Sequence, residues 1–530
     1  MPLPSLRLSP RLSLLLLPLL THAALSPSRL TRPAARPASA AAPRMLAPTP
    51  APATEHSLLP ALPRASPSPL PLRIDGQWYD LRPYADAHPG GRWLLEYACG
   101  RDVTALFHAI HLRDHSKAAA ALLRLPTLAA SSLPLPSRPG LGAAQLDAEA
   151  ALQGEYVFSL STPAPSAAPL PPIASPLRAE LAAMLRRRFP TRGAAKATAA
   201  HWARTALAAA ATAWCWAGWL RGDVALTLLL PAVHWALIAH TVHEATHGNL
   251  SEDPAVNFWA QFTAHPICFN VFVWIPQHLL SHHQYTNDHQ HDVDVHHFAP
   301  ALLSAAQADA RGPAEGQRGF NQGWTFVWKA FLTTLGTSVL QPLRTLLDKP
   351  TPNFDANITP VPAAVSKRTL WLSVLPSLLV LLYPLVAFVP HAPLLGFFLE
   401  VWPWVGMSII FTSMTQVSHV QAATQPRAAP PGGLDCWTKQ QIHTSLDYST
   451  DDRIVTALSA GLNAQSLHHA MPSVGCAHFA DMYEEYQEIC ERHGVEIRKS
   501  RNVLTAVREM LEYIFENNDP QRTTKQEHRS

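Results

Sequence analysis

The stretch VALTLLLPAVHWALIAHTVHEATH (224–247) decides how this chain folds. Its apolar part, residues 224–242, is close to the length needed to cross a bilayer core of ~30 Å. It ends on HEATH, which puts His243 and His247 four residues apart. On a helix, residues so spaced share a face and can reach one ion. The rest of the reading grows from this unit: an apolar helix that delivers two imidazoles just past its end.

Three further apolar segments extend the pattern. TALAAAATAWCWAGWL (205–220) precedes residue 224 with only RGD between. TLWLSVLPSLLVLLYPLVAFV (369–389) and LLGFFLEVWPWVGMSIIFTSM (394–414) are separated by PHAP. Such short connections make each pair a helical hairpin, so both chain ends and the long middle segment lie on one side. Arg186, Arg187, Arg188, Arg192 and Lys196 precede the first span, and Lys367 and Arg368 precede the third. The positive-inside rule assigns that side to the cytosol or its organellar equivalent. The expectation is an all-α membrane domain with about four transmembrane helices in two hairpins and a cytosolic cap. Residues 254–276 are apolar but interrupted by His265-Pro266, and read as an interfacial or re-entrant helix.

Composition excludes other classes. A net charge of +3 argues against nucleic-acid binding, and the six scattered cysteines, without a CxxC pair, form neither a disulfide framework nor a zinc ribbon. The first 54 residues hold six Arg and no Asp or Glu, and LSLLLLPLL (12–20) follows Arg7 and Arg11. That is the pattern of a targeting segment, so residues 1–70 are set aside from the fold. The expected membrane is the endoplasmic reticulum, with a plastid membrane as the alternative. Residues 129–175, rich in Pro, Ala and Ser, read as a linker, and 516–530 as a polar tail.

The 27 histidines gather in clusters. HLLSHH places His278 and His282 at i, i+4 with His283 adjacent, and QSLHH places Gln465 and His468 at i, i+3 with His469 next. Adjacent residues point about 100° apart on a helix, so one can face one ion and its neighbour a second. The inventory exceeds the four ligands of a structural zinc. Two imidazole-bound ions at a membrane surface suit oxygen activation by iron, which zinc, lacking redox chemistry, cannot perform. A metal transporter or haem-linked binding protein is the rival from another class. It would need ionisable residues within the spans, whereas these clusters sit at their ends.

HEATH, HLLSHHQYTN and GLNAQSLHH resemble, in order, the three histidine boxes of membrane fatty acyl desaturases, over residues 176–515. The third opens with Gln, as in front-end desaturases and the related sphingolipid desaturases. The resemblance implies two irons bound by His243, His247, His278, His282, His283, His468 and His469, with Gln465 in place of a histidine. It adds one histidine at the end of the fourth span, which TQVSH supplies as His419. His289, His291, His296 and His297 are expected to line the mouth or face water, and His240 and His443 to be bystanders. Asp288, Asp292 and Asp294 are either acceptors that orient ligand imidazoles or solvated turn acids. Trp274 and Trp437 are expected either to line an acyl tunnel or to anchor at the interface. Glu244, where many relatives have Asp, and AMPSV after the third box depart from the pattern and weaken any transfer of regiochemistry.

Upstream, IDGQWYDL (74–81) carries an Asp-Gly hairpin signal between β-favouring residues, and RWLLEYACG and VTALFHAIH read as short helices. HPGG (88–91), with GRDVTALFHAIH, resembles cytochrome b5 over residues 71–128, a small α+β haem domain. The resemblance implies haem b held by His88 and His111, with His108 and His115 competing for the second place. Together the two resemblances imply O2-dependent front-end desaturation of long-chain unsaturated acyl chains, with electrons arriving through the fused haem domain. NADH-cytochrome b5 reductase is the expected donor. A sphingolipid long-chain-base desaturase or an acyl hydroxylase is the nearest alternative. The linker is expected to span the distance between haem and irons.

Overall fold

The computed structural model describes residues 69–129, 170–288, 292–304, 306–307, 320–347, 365–428 and 434–519. Nearly all of the targeting segment and of the linker, most of the tail, and His289 and His291 lie outside these residues.

The N-terminal module is built on the expected hairpin. Strands β1 (Pro71–Ile74) and β2 (Gln77–Asp80) pair antiparallel, Ile74 opposite Gln77. Asp75 and Gly76 both take positive φ, +50° and +79°, as a tight two-residue turn requires. Strands β3 (Arg101–Asp102) and β4 (Thr127–Leu128) complete a sheet of order β3-β1-β2-β4. Helices Arg92–Ala98 and Thr104–Ile110 cover it, burying Trp93, Leu95 and Leu106 against Leu72 and Ile74.

The second part is helical. Ala199–Leu220 and Val224–Ile238 form the first hairpin, turning at Gly222 (φ +77°), with Asp223 capping the second helix by accepting from the Leu226 N–H. Lys367–Ala387 and Pro393–Gln416 form the other. The hairpins lock together through Trp219, whose indole donates to the Leu399 carbonyl at 2.9 Å, and through Gly406, where a Cβ would meet Pro231 at 2.7 Å. Leu207, Leu379, Val386 and Leu394 stand exposed on the outer surface, as lipid-facing side chains must. Among the described residues three helices, where four were expected, are both long and apolar enough to cross a membrane: Val224–Thr246, Lys367–Ala387 and Pro393–Gln416. Ala199–Leu220 matches them in length at 22 residues, but its alanine-rich composition leaves it outside that set. Residues 254–276 form short helical pieces, none among these three.

The two parts pack against one another. Gln284 of the second box accepts from the Leu106 N–H at 3.4 Å and donates to the Asp102 carbonyl at 3.2 Å. Arg113 donates to the carbonyls of Phe189 and Pro190, and Arg178 to that of His108. Trp437 is buried in the same seam, donating to the Gln284 carbonyl and touching Ala105 and Ala109. Its burial there rules out a lipid anchor.

Candidate functional site

The helix ending in HEATH does not stay α-helical. Residues Ala239–His243 form a π-helical turn, as do Gln277–His282 in the second box. Such turns widen a helix locally and often mark functional sites. The third box is the short helix Gln465–Ala470, and His419 lies just past Gln416. All four elements converge in the interior. His243, His247, His278, His283 and His468 form one group of potential ligands, and His282, His419 and His469 a second. Adjacent His282 and His283 fall in different groups, as do His468 and His469, in the manner expected of neighbours on a helix.

The nitrogen spacings in the first group are those of a ligand shell. Nε2 of His278 lies 3.0 Å from that of His247 and 3.1 Å from that of His283, whose Nε2 is 3.2 Å from that of His468. A ring nitrogen carries one proton or one lone pair, so His278 and His283 cannot each make two hydrogen bonds through a single atom. Nitrogens each about 2 Å from a common metal lie roughly 3 Å apart. Both nitrogens of His243 are buried without a hydrogen-bond partner among the described residues. Burial, reinforced by neighbouring histidines, holds His247, His278, His283 and His468 well below the ordinary imidazole range, so they stand neutral as ligands must.

In the second group each ring has its far nitrogen engaged. His282 Nδ1 lies 3.1 Å from Asp292, His419 Nδ1 2.9 Å from the Thr444 carbonyl, and His469 Nδ1 2.9 Å from Gln441 Oε1. That leaves Nε2 of each for an ion. The amide nitrogen of Gln465 lies 3.2 Å from His419 Nε2, and its Oε1 is buried without a partner. The side chain thus sits beside the second group with a free acceptor. Burial opposes charge on His282, but Asp292 and Asp294 outweigh it and hold this imidazole up at about 9. Asp292 also accepts from the backbone N–H groups of Asn287 and Asp294, so it is a built, fully buried acceptor rather than a solvated turn acid. Carboxylate–imidazole–metal chains of this kind orient ligands.

Two expectations need correction or refinement. His297 is buried 3.8 Å from Asp294 instead of facing water. Trp274 stacks on the His278 ring with centroids 4.4 Å apart. Asp447, Gln441 and Thr286 hold the boxes in place but were not foreseen. Asp447 accepts from the Ser466 N–H and hydroxyl and from the Tyr483 hydroxyl, fixing the start of the third-box helix. His240 and His443 are bystanders, bonded to the carbonyls of Ala236 and Gln425.

A cavity of about 440 Å³ opens in the N-terminal module, lined by His88, His111 and aliphatic side chains. The His88 and His111 ring centroids are 6.3 Å apart. Two coaxial imidazole nitrogens, each about 2 Å from one metal, would set their ring centroids roughly 6 Å apart. His88 Nδ1 is 3.4 Å from the Gly91 carbonyl and His111 Nδ1 is 2.8 Å from that of Phe107, which leaves both Nε2 atoms for the metal. His108, by contrast, is engaged by Asp75 at one nitrogen and His115 at the other. Burial pushes His88 down to about 4 and His111 in the same direction, keeping both neutral. The residues therefore fit a bis-imidazole haem. The same cavity extends to Thr246, His247 and Gly248, and so reaches a histidine of the first metal group. One histidine of the first candidate metal group thus lines the cavity that fits haem, where the sequence had suggested a distance for the linker to span.

Comparison with known proteins identifies both parts of the chain. Residues 222–501, just over half of the chain, match the family described as fatty acid desaturase, and residues 64–149 match the cytochrome b5-like heme/steroid binding domain. The chain belongs to the fatty acid desaturase family and carries an N-terminal cytochrome b5-like domain. It is 27% identical over 445 residues to an acyl-lipid omega-13 desaturase of Chlamydomonas reinhardtii, covering 82% of this chain and 90% of the relative. It is 28% identical over 437 residues to the chloroplastic acyl-lipid (7-3)-desaturase of the same alga, covering 79% and 75%. An acyl-lipid (8-3)-desaturase of Mortierella alpina is 24% identical over 440 residues, covering 80% and 88%. The chain is an oxidoreductase of the acyl-lipid desaturase type, membrane-associated and haem-linked.

Proposed function

We propose that this protein is an O2-dependent front-end desaturase of long-chain unsaturated acyl chains, working at two irons held by the histidine groups. His243, His247, His278, His283 and His468 would hold one iron, and His282, His419 and His469, with Gln465 beside them, the other. When bound, the irons supply the oxygen activation needed to remove hydrogen from an unactivated methylene. The chain's own residues hold His247, His278, His283 and His468 neutral, engage the far nitrogens of His282, His419 and His469 through Asp292, Thr444 and Gln441, and keep the groups buried from water. His88 and His111 would hold the haem through which electrons arrive, delivered by a cytochrome b5 reductase.

The observation that carries the reading is His247, which belongs to a metal group and also lines the haem cavity. A haem held by His88 and His111 and an iron held by the first group would then share a wall. These three relatives are all named acyl-lipid desaturases, which favours an acyl chain carried on a lipid, but their names differ in the bond they specify.

Expression in a host without polyunsaturated lipids, fed polyenes of graded chain length, tests the proposal. A new double bond is expected on the carboxyl side of an existing one. His468→Ala should abolish it while the low-spin haem spectrum persists, and purified parent protein should hold two irons per chain. New double bonds only in long-chain bases would move the assignment to sphingolipids, and iron-free active protein would remove the metal reading.

A further inference from the structure

The haem cavity has two chemically distinct ends. Around His88 and His111 it is aliphatic, with Leu72, Ile74 and Leu95 among its walls. Its other wall comes from the desaturase part of the chain and carries Arg192 and Lys196. Arg113 and Lys117 also border the cavity, against Asp114 as the one lining acid among the described residues. Two of these four cations are already committed or remote. Arg113 pairs with Asp114 and bonds two backbone carbonyls, while the Lys117 side chain is 84% exposed.

Arg192 and Lys196 are different. Arg192 donates to the carbonyl of Pro89, inside the HPGG turn, and its charge acts on both His88 and His111. It therefore sits at the edge of the axial pair. Lys196 is only 7% exposed, yet its ammonium has a single hydrogen bond among the described residues, to Asn249 at 3.4 Å. Glu244 and Glu252 act on it through space, but neither is within ion-pairing distance. Burial and the neighbouring Arg192 push it down to about 8. Its backbone is pinned, the carbonyl accepting from His478 at 2.9 Å. A buried, positioned ammonium without a counter-ion is costly unless an anion joins it. The cavity it faces is the one whose imidazoles fit haem, and haem b carries two carboxylates on one edge.

We infer that Arg192 and Lys196, contributed by the desaturase domain, bind the haem carboxylates, so that the haem is held by both domains. The inference rests on His88 and His111 holding the haem. Haem binding and domain docking then support each other, and the haem is oriented with its carboxylate edge toward the wall that contains His247. Loss of these cations also leaves the carboxylate charge uncompensated, which favours the ferric form and lowers the midpoint potential.

The test uses the purified full chain and ferric haem transfer to excess apomyoglobin. Arg192→Gln and Lys196→Gln are each expected to speed haem loss about tenfold, the effect of one charge-assisted hydrogen bond, with a low-spin spectrum retained and a lowered potential. Arg192→Lys should retain most of the parent's behaviour, and Lys117→Gln all of it. Reconstituting the parent with haem dimethyl ester separates a carboxylate contact from general damage. The ester, with both carboxylates blocked, should leave the parent at least as fast as haem leaves either variant, and the substitutions should then add nothing. Unchanged loss rates, or substitutions that speed loss of the ester as much as of haem, overturn the inference. Absence of low-spin haem in the parent would instead overturn the axial assignment beneath it.

Discussion

The two nitrogens of His282 have separate tasks. Nδ1 faces Asp292 at 3.1 Å, which leaves Nε2 for the group shared with His419 and His469. Asp292→Ala frees the ring to rotate and removes the acceptor that fixes its tautomer. Iron affinity should fall roughly 10–100-fold, the usual cost of losing such a partner. Iron per chain after equilibration with graded chelator measures this, with haem absorbance as the internal standard; an unchanged chelator midpoint would show that Asp292 does not position the ligand. A parallel contrast holds in the haem module. His111→Ala should erase the low-spin spectrum and His108→Ala should preserve it, because His108 is already held by Asp75 and His115. The reverse result would reassign the ligand. At this scale the ligand candidates were legible because i, i+3 and i, i+4 spacings are local. The choice of His111 over His108 was not, because it depends on which ring faces His88. Gln441 and Thr286 were invisible for the same reason, lying 28 and 183 residues from the His469 they touch.

Elements carry the ligands only if their ends are fixed. The third-box helix is fixed by Asp447 in the strand Leu446–Tyr448, which is paired parallel with Arg498–Ser500. Asp447 is completely buried, and burial raises it to about 6 despite the donors Ser466 and Tyr483. A carboxyl whose folded pKa exceeds its unfolded value binds more protons when folded. Stability from this group is therefore full below about pH 4 and is lost as pH rises toward 6, a cost on the order of 3 kcal/mol at neutral pH. Asp447→Asn cannot ionise. Its thermal midpoint relative to the parent should rise between pH 4.5 and 7 in detergent. A difference that stays constant over that range would mean that the acid does not titrate there. Apolar length made the two hairpins readable in advance, but the π-helical turns at Ala239–His243 and Gln277–His282 left no local mark. They depend on how the boxes converge, which spacing along one segment does not encode.

For the whole molecule, the question is whether tether or contact sets the electron path. If residues 130–169 act only as a flexible tether, doubling their length dilutes the haem domain, and electron delivery falls roughly threefold by the −3/2 power of length. The structure points to contact. Gln284 bridges Leu106 and Asp102, Trp437 is buried across the seam, and Arg113 and Arg178 donate across it. A Gly/Ser insertion of that size should therefore leave the rate of haem reoxidation in the presence of substrate and O2 within about 1.5-fold of the parent, well short of the tether estimate. Combining the insertion with Gln284→Ala and Trp437→Ala should slow reoxidation further than either change alone, because docking then depends on the tether that has been weakened. A full threefold slowing from the insertion alone would mean that these contacts do not hold the domains together in the working enzyme. This arrangement explains how one chain can set the N-terminal module beside eight converging histidines: the second box brings His278, His282 and His283 into the two histidine groups, and Gln284 to the N-terminal module from the next position.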